Sequence, residues 1–134
     1  PRLGLIVIAA DFEQLAPLLA GPAAWLRKLE TRSARPVTWL VHAPGIPQWI
    51  RGEHDKAAVR IVGHPIAAAL CRACGPLVST SANVHGGTPA RTALRVRRLF
   101  GDGLDCIING DAGPFATPSE IRDAQTGAVV RRAG

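Results

Sequence analysis

An apolar stretch runs without interruption from Leu3 to Ala10 (LGLIVIAA) and stops at Asp11. A strand that faces water on one side alternates; one that is apolar at every position belongs inside a sheet. The chain must therefore cover this strand with other elements, and the rest of the sequence supplies them. Asp11 suits a helix N-cap with Gln14 as its capping-box partner, and Leu15, Leu18 and Leu19 give the short helix its apolar stripe. A second helix begins near Pro22, with Trp25, Leu26 and Leu29 on one face and Arg27, Lys28 and Glu30 off it.

The alternation of elements continues. Pro36 to Ala43 (PVTWLVHA) is β-branched and aromatic, hence a strand, and Pro44-Gly45-Ile46-Pro47 breaks it. Ala57 to Val62 (AAVRIV) is another strand. Pro65 fits the first turn of a helix whose Ile66, Ala69, Leu70, Ala73 and Cys74 share a face, and Gly75 ends it. Pro76 to Ser79 starts a further strand. Ala93, Val96 and Phe100 mark a helix, Leu104 to Ile108 reads as a strand, and residues 120–132 read as a hairpin around Thr126-Gly127. Interleaved strands and helices specify an α/β or α+β class with a mixed sheet, in one domain over residues 1–134.

Charge and cysteine usage narrow the function. Sixteen Lys and Arg against ten Asp and Glu give a net charge of +6. Nearly all the cations are Arg, whose planar fork matches phosphate and carboxylate, so the partner class is anionic unless the charge is only a solvated surface. No run approaches the length of a membrane helix. Three cysteines (Cys71, Cys74 and Cys106) with no secretory signal point to a reducing, cytoplasmic setting. Cys71-x-x-Cys74 lies mid-helix without a second pair, so no metal site is expected. Neither a P-loop nor a GxGxxG fingerprint occurs.

Five places could carry chemistry. The strand before Ser79 empties into Ser79-Thr80-Ser81-Ala82-Asn83 and then Gly86-Gly87. Accessible backbone N–H groups there would either bind phosphate oxygens or form an ordinary Ser/Asn/Gly turn; Ser81 and Asn83 face one side if the strand geometry persists. Arg60 sits inside an apolar strand, so it either pairs with a carboxylate such as Asp55 or reaches a ligand anion. Thr38 is open to the same two readings, structural or functional. Ser119 and Glu120 follow a Gly/Pro-rich loop, where polar groups either serve a site or bond locally. Arg91, Arg95 and Arg98 on one helix face, with Arg97 nearby, form an RNA-patch candidate or a solvated face.

Taken in order, LGLIVIAADFEQLAPLL, PVTW, AAVRIVGHPIAAALCRACGPLVSTSANVHGGTPARTALRV and PSEIRDAQTGAVVR resemble the YrdC/TsaC-like family of threonylcarbamoyl-adenylate synthases. The STSAN loop and the PSEIRD stretch are the most specific parts. The resemblance implies a twisted, mixed, largely parallel sheet with flanking helices and a concave basic surface. It implies formation of L-threonylcarbamoyladenylate and pyrophosphate from ATP, L-threonine and bicarbonate, for the N6-threonylcarbamoyl modification of adenosine 37 in tRNA. In that reading Arg60 is catalytic and holds carboxylate or phosphate, with Thr38 beside it. Thr38, Ser79, Ser81, Asn83 and Arg131 contact ATP, and Ser119 joins Arg60 at threonine. Mg²⁺ arrives on the ATP phosphates, and the partners include tRNA or double-stranded RNA and proteins of the transfer machinery. Two rival readings are an RNA-binding module without synthase chemistry and the carbamoyl-adenylate domain of a larger carbamoyltransferase. The family's K-x-R motif has no match here, so the chain reads as N-terminally incomplete relative to the family and these 134 residues alone are expected to be inactive. His85 stands where relatives usually carry Ser, and Arg35 where Gly commonly precedes PVT.

Overall fold

The computed structural model describes residues 4–31, 35–84, 86–114 and 117–132. Chain contacts divide it into a larger unit, residues 1–79 with 117–134, and a smaller one, residues 80–116.

The larger unit is built on six strands in the order β4-β1-β3-β2-β5-β6. They are β1 (Ile6–Ala9), β2 (Val37–His42), β3 (Lys56–Ile61), β4 (Leu77–Ser79), β5 (Glu120–Asp123) and β6 (Val129–Arg131). The sheet is mixed, as anticipated. The parallel share is smaller than anticipated, however: β1–β3 and β2–β5 run parallel, whereas β1–β4, β2–β3 and β5–β6 run antiparallel.

Strand alternation sends Val7, Ala9, Val41, Ala57 and Val59 to one face, all buried. Against them pack Leu15 of α1 (Phe12–Leu15), Leu29 of a 3₁₀ turn (Arg27–Glu30) and Ile50 of α3 (Gln48–Arg51), with Trp25 of α2 (Ala23–Leu26) at the margin. Fully burying such side chains stabilises by about 1.5–3 kcal/mol each, which makes this layer the main cohesive element. The other face is covered at its β1 side by α4 (Pro65–Cys74), whose Ala68 and Cys71 meet Ile8 and Leu77. Gly75 closes α4 at φ +83°, a conformation glycine adopts without strain.

Local signals explain the element ends. Asp11 Oδ1 accepts from Gln14 N at 3.1 Å, so the N-cap is present. The reciprocal half differs from a capping box. Gln14 Oε1 accepts from Ala10 N, and its Nε2 donates to Cys71 O at 2.7 Å, tying α1 to the end of α4. The Pro44–Pro47 breaker does more than stop β2, because Pro47 opens the unanticipated helix α3. Gly45 is needed there: a Cβ would lie 2.7 Å from Leu18 Cα.

The smaller unit contains α5 (Ala93–Phe100), capped by Thr92 Oγ1 accepting from Arg95 N at 3.2 Å. The strand anticipated at 104–108 does not form. Leu104 and Ile108 are 41% and 53% exposed, and no ladder partner meets them among the described residues.

Candidate functional site

Arg60 occupies the penultimate position of β3, level with Ile8 of β1. On the other side the β2–β3 register pairs Trp39 with Val59. One step further along, Thr38 falls opposite Arg60, and directly opposed residues of an antiparallel pair share a face. Arg60 and Thr38 therefore stand together on the face away from the Val7/Val59 layer. Arg60 has no hydrogen bond or ion pair among the described residues, and Asp55, at the far end of β3, does not reach it. Burial alone pulls its pKa below the usual arginine value. A half-buried guanidinium without a counter-ion lacks the compensation such a charge normally has, and an anion would supply it.

The two hydroxyls beside it are joined. Thr38 is fully buried, and its Oγ1 lies 2.8 Å from Ser119 Oγ. Ser119 is half-buried, just before β5, where parallel pairing with β2 sets Thr38 against Ile121. Arg131 of β6 donates from Nη2 to the Ser119 carbonyl at 3.0 Å, so Ser119 is held at both ends. The sheet thus brings Arg60, Thr38, Ser119 and Arg131 from four separate stretches onto three adjacent strands and the edge strand beside them. Thr38 itself has no exposed surface, and its hydroxyl is paired with that of Ser119.

The Ser/Asn loop divides. Ser79 ends β4, half-buried and level with Ile6. Ser81 and Asn83 belong to the smaller unit, where the extended geometry does not persist: Asn83 N donates to Ser81 O at 3.0 Å and Ala90 N to Ala82 O at 2.7 Å. Asn83 Nδ2 donates to Val84 O at 3.0 Å, leaving its side-chain oxygen and the exposed Ser81 hydroxyl without a partner among the described residues. His85 lies outside the described residues. Arg95, Arg97 and Arg98 project from α5 into solvent, whereas Arg91 precedes the Thr92 cap and donates to Gly113 O at 2.7 Å. The anticipated single helix face of Arg91, Arg95 and Arg98 is therefore interrupted at its first member.

Among the described residues no three His, Cys, Asp or Glu side chains gather in a way that could hold a metal ion. A depression of about 260 Å³ opens at the other end of β2, lined by Trp25, His42, Lys56, Ala124 and Gln125 among others. It is bounded by the Lys56–Asp123 pair at 2.5 Å and is separate from Arg60.

The telomere recombination family model, which joins Sua5, YciO and YrdC proteins, matches residues 1–134. The chain belongs to the Sua5/YciO/YrdC family. A threonylcarbamoyl-AMP synthase of Nitrosococcus oceani is 53% identical over 131 residues, covering 96% of this chain and 71% of the relative. One from Pseudomonas aeruginosa is 48% identical over 132 residues, covering 97% and 71%. The crystal structure of P. abyssi Sua5 complexed with L-threonine superposes with a TM-score of 0.87 at 28% identity. The match covers all of this chain and 41% of that one, so the chain spans under half the length of that Sua5 protein. Membership in the Sua5/YciO/YrdC family accords with the mixed six-stranded sheet, and among the described residues no helix is long and apolar enough to cross a membrane.

Proposed function

We propose that this chain is the catalytic region of a threonylcarbamoyl-AMP synthase. The observation that carries the reading is the guanidinium of Arg60, unpaired among the described residues and beside the Thr38–Ser119 hydroxyl pair, in a chain 53% identical to a synthase of that name. The reaction joins L-threonine, bicarbonate and ATP. An N-carboxylated threonine attacks the α-phosphorus of ATP through a carboxylate oxygen, the bond to the β-phosphate bridging oxygen breaks, and pyrophosphate leaves with its electron pair. Two anions must meet, so the protein's task is to screen their repulsion and stabilise charge building on phosphate oxygens.

Arg60 supplies the cation nearest the L-threonine carboxylate. Ser119 donates to the same carboxylate, and Arg131, which donates to the Ser119 carbonyl, meets the nucleotide. Ser79, Ser81 and Asn83 hold phosphate oxygens with hydroxyl, amide and backbone donors. Magnesium enters as part of the nucleotide substrate, held by phosphate oxygens and water. The exposed Arg95, Arg97 and Arg98 suit the backbone of the tRNA that receives the product, and the free cysteines suit a reducing compartment.

The test is pyrophosphate release by the purified full-length protein, because residues 1–134 alone are expected to be inactive. Release that requires both L-threonine and bicarbonate is the expected result; release independent of threonine, or ATP-dependent RNA binding without release, would overturn the reading.

A further inference from the structure

The Thr38–Ser119 contact raises a question that its distance does not answer: which hydroxyl donates. Each carries one proton and two lone pairs. Thr38 is fully buried and Ser119 Oγ is its one side-chain partner among the described residues, whereas Ser119 retains exposed surface. If Ser119 donated, the Thr38 proton would be buried with no acceptor. Orphaned buried donors are rarer than under-used acceptors. Thr38 therefore donates, and the Ser119 proton is left pointing elsewhere. The carbonyl of Ser119 accepts from Arg131 on the other side, which holds the backbone of Ser119 in place.

The direction matters because of what shares the face. Arg60 calls for an anion, and a carboxylate only accepts hydrogen bonds. A Ser119 that spent its proton on Thr38 would present lone pairs to that carboxylate and repel it. We propose that Thr38 is a positioning residue: it aims the Ser119 hydroxyl proton at the carboxylate of L-threonine beside Arg60, without touching the substrate itself. The inference rests on the synthase reading for the identity of the carboxylate, but the proton direction follows from burial and inventory alone.

The test uses Thr38→Val, which keeps the shape and removes the proton, Thr38→Ser, which keeps the proton, and Ser119→Ala. Thr38→Val is expected to raise the KM for L-threonine about tenfold or more, since a bond to a charged group is lost, with the KM for ATP unchanged. Thr38→Ser is expected to restore it. In the Ser119→Ala background, Thr38→Val is expected to add no further loss, because Thr38 acts only through Ser119. Additive losses, or equal rises in both KM values, would overturn the proposal. A separate readout needs no turnover: the Thr38 hydroxyl proton should exchange slowly in the NMR spectrum of the ligand-free protein, and exchange at the rate of a free hydroxyl would overturn the assigned direction. Absence of threonine-dependent turnover in the unsubstituted protein, with a protected Thr38 proton, would count against the synthase reading and leave the proton direction standing.

Discussion

Replacing Arg60 with methionine should make the protein more stable and less active at once. Methionine matches the length of the arginine stem and removes the guanidinium. That group is half-buried, its pKa is pulled down by burial, and no carboxylate offsets it among the described residues. Full burial of an unpaired ion costs several kcal/mol. Partial exposure of Arg60 reduces this to about 1–2 kcal/mol, and a domain of this size converts 1 kcal/mol into roughly 3–5 °C of Tm. Arg60→Met should therefore melt about 3–10 °C higher by calorimetry, while adenylate formation falls about 10²–10³-fold, as when one preorganised charge stabiliser is lost. A third measurement links the two. Threonine with bicarbonate should raise the Tm of the unsubstituted protein, by about 2.7 kcal/mol worth at a hundred times Kd, and leave the variant unmoved. A variant that melts lower and turns over normally would mean that Arg60 is a structural cation with a partner, and the site assignment would fall with it.

Four further outcomes are expected. Ser81→Ala with Asn83→Ala should weaken ATP binding more than threonine binding by calorimetry, and the reverse order would remove this loop from the nucleotide. Lys56, chiefly through its hydrogen bond, and the Gln125 and Thr126 amides hold the Asp123 carboxyl below its ordinary value. That stability is complete above the usual carboxylate range and is lost as pH falls through the lowered value. Asp123→Asn should thus cost about 1 kcal/mol at pH 7, with the two proteins converging in acid denaturation series; a pH-independent difference would refute the ion pair's role. Gly45→Ala should destabilise by about 1–3 kcal/mol in urea, because its Cβ would sit 2.7 Å from Leu18 Cα. Burial, then the neighbouring Cys74, pushes the Cys71 thiol up; a thiol reagent should label Cys74 and Cys106 in the native protein and Cys71 only after unfolding, and fast native labelling of Cys71 would contradict the α4 packing.

Much of the fold was legible because its signals are local. The LGLIVIAA run, the Asp11 cap, Pro65 at the first turn of α4 and Gly75 at its end each state their element within a few residues, and each is where the sequence places it. The failures share a cause. Leu104 to Ile108 has strand composition, but a strand exists only through a partner, and this segment has none among the described residues. α3 is a single turn opened by Pro47, too short for an apolar period to appear. Arg91 keeps the helical spacing to Arg95 and Arg98, but the Thr92 cap starts α5 after it.

The site shows the limit more sharply. Arg60 could be singled out from sequence because a lone charge in AAVRIV violates the local pattern, yet whether it had a partner was a question about strands far apart in the chain. Thr38 violated nothing, since threonine is an ordinary strand residue. Its role arises from parallel pairing with β5, which brings Ser119 to it across a separation of 81 residues. No spacing rule within PVTW or PSEIRD encodes that contact, and none distinguishes a hydroxyl facing the ligand from one standing behind it. The distinction is made by burial, because a donor without exposed surface must spend its proton on the protein, and the acceptor available to it among the described residues is the hydroxyl of the half-buried Ser119.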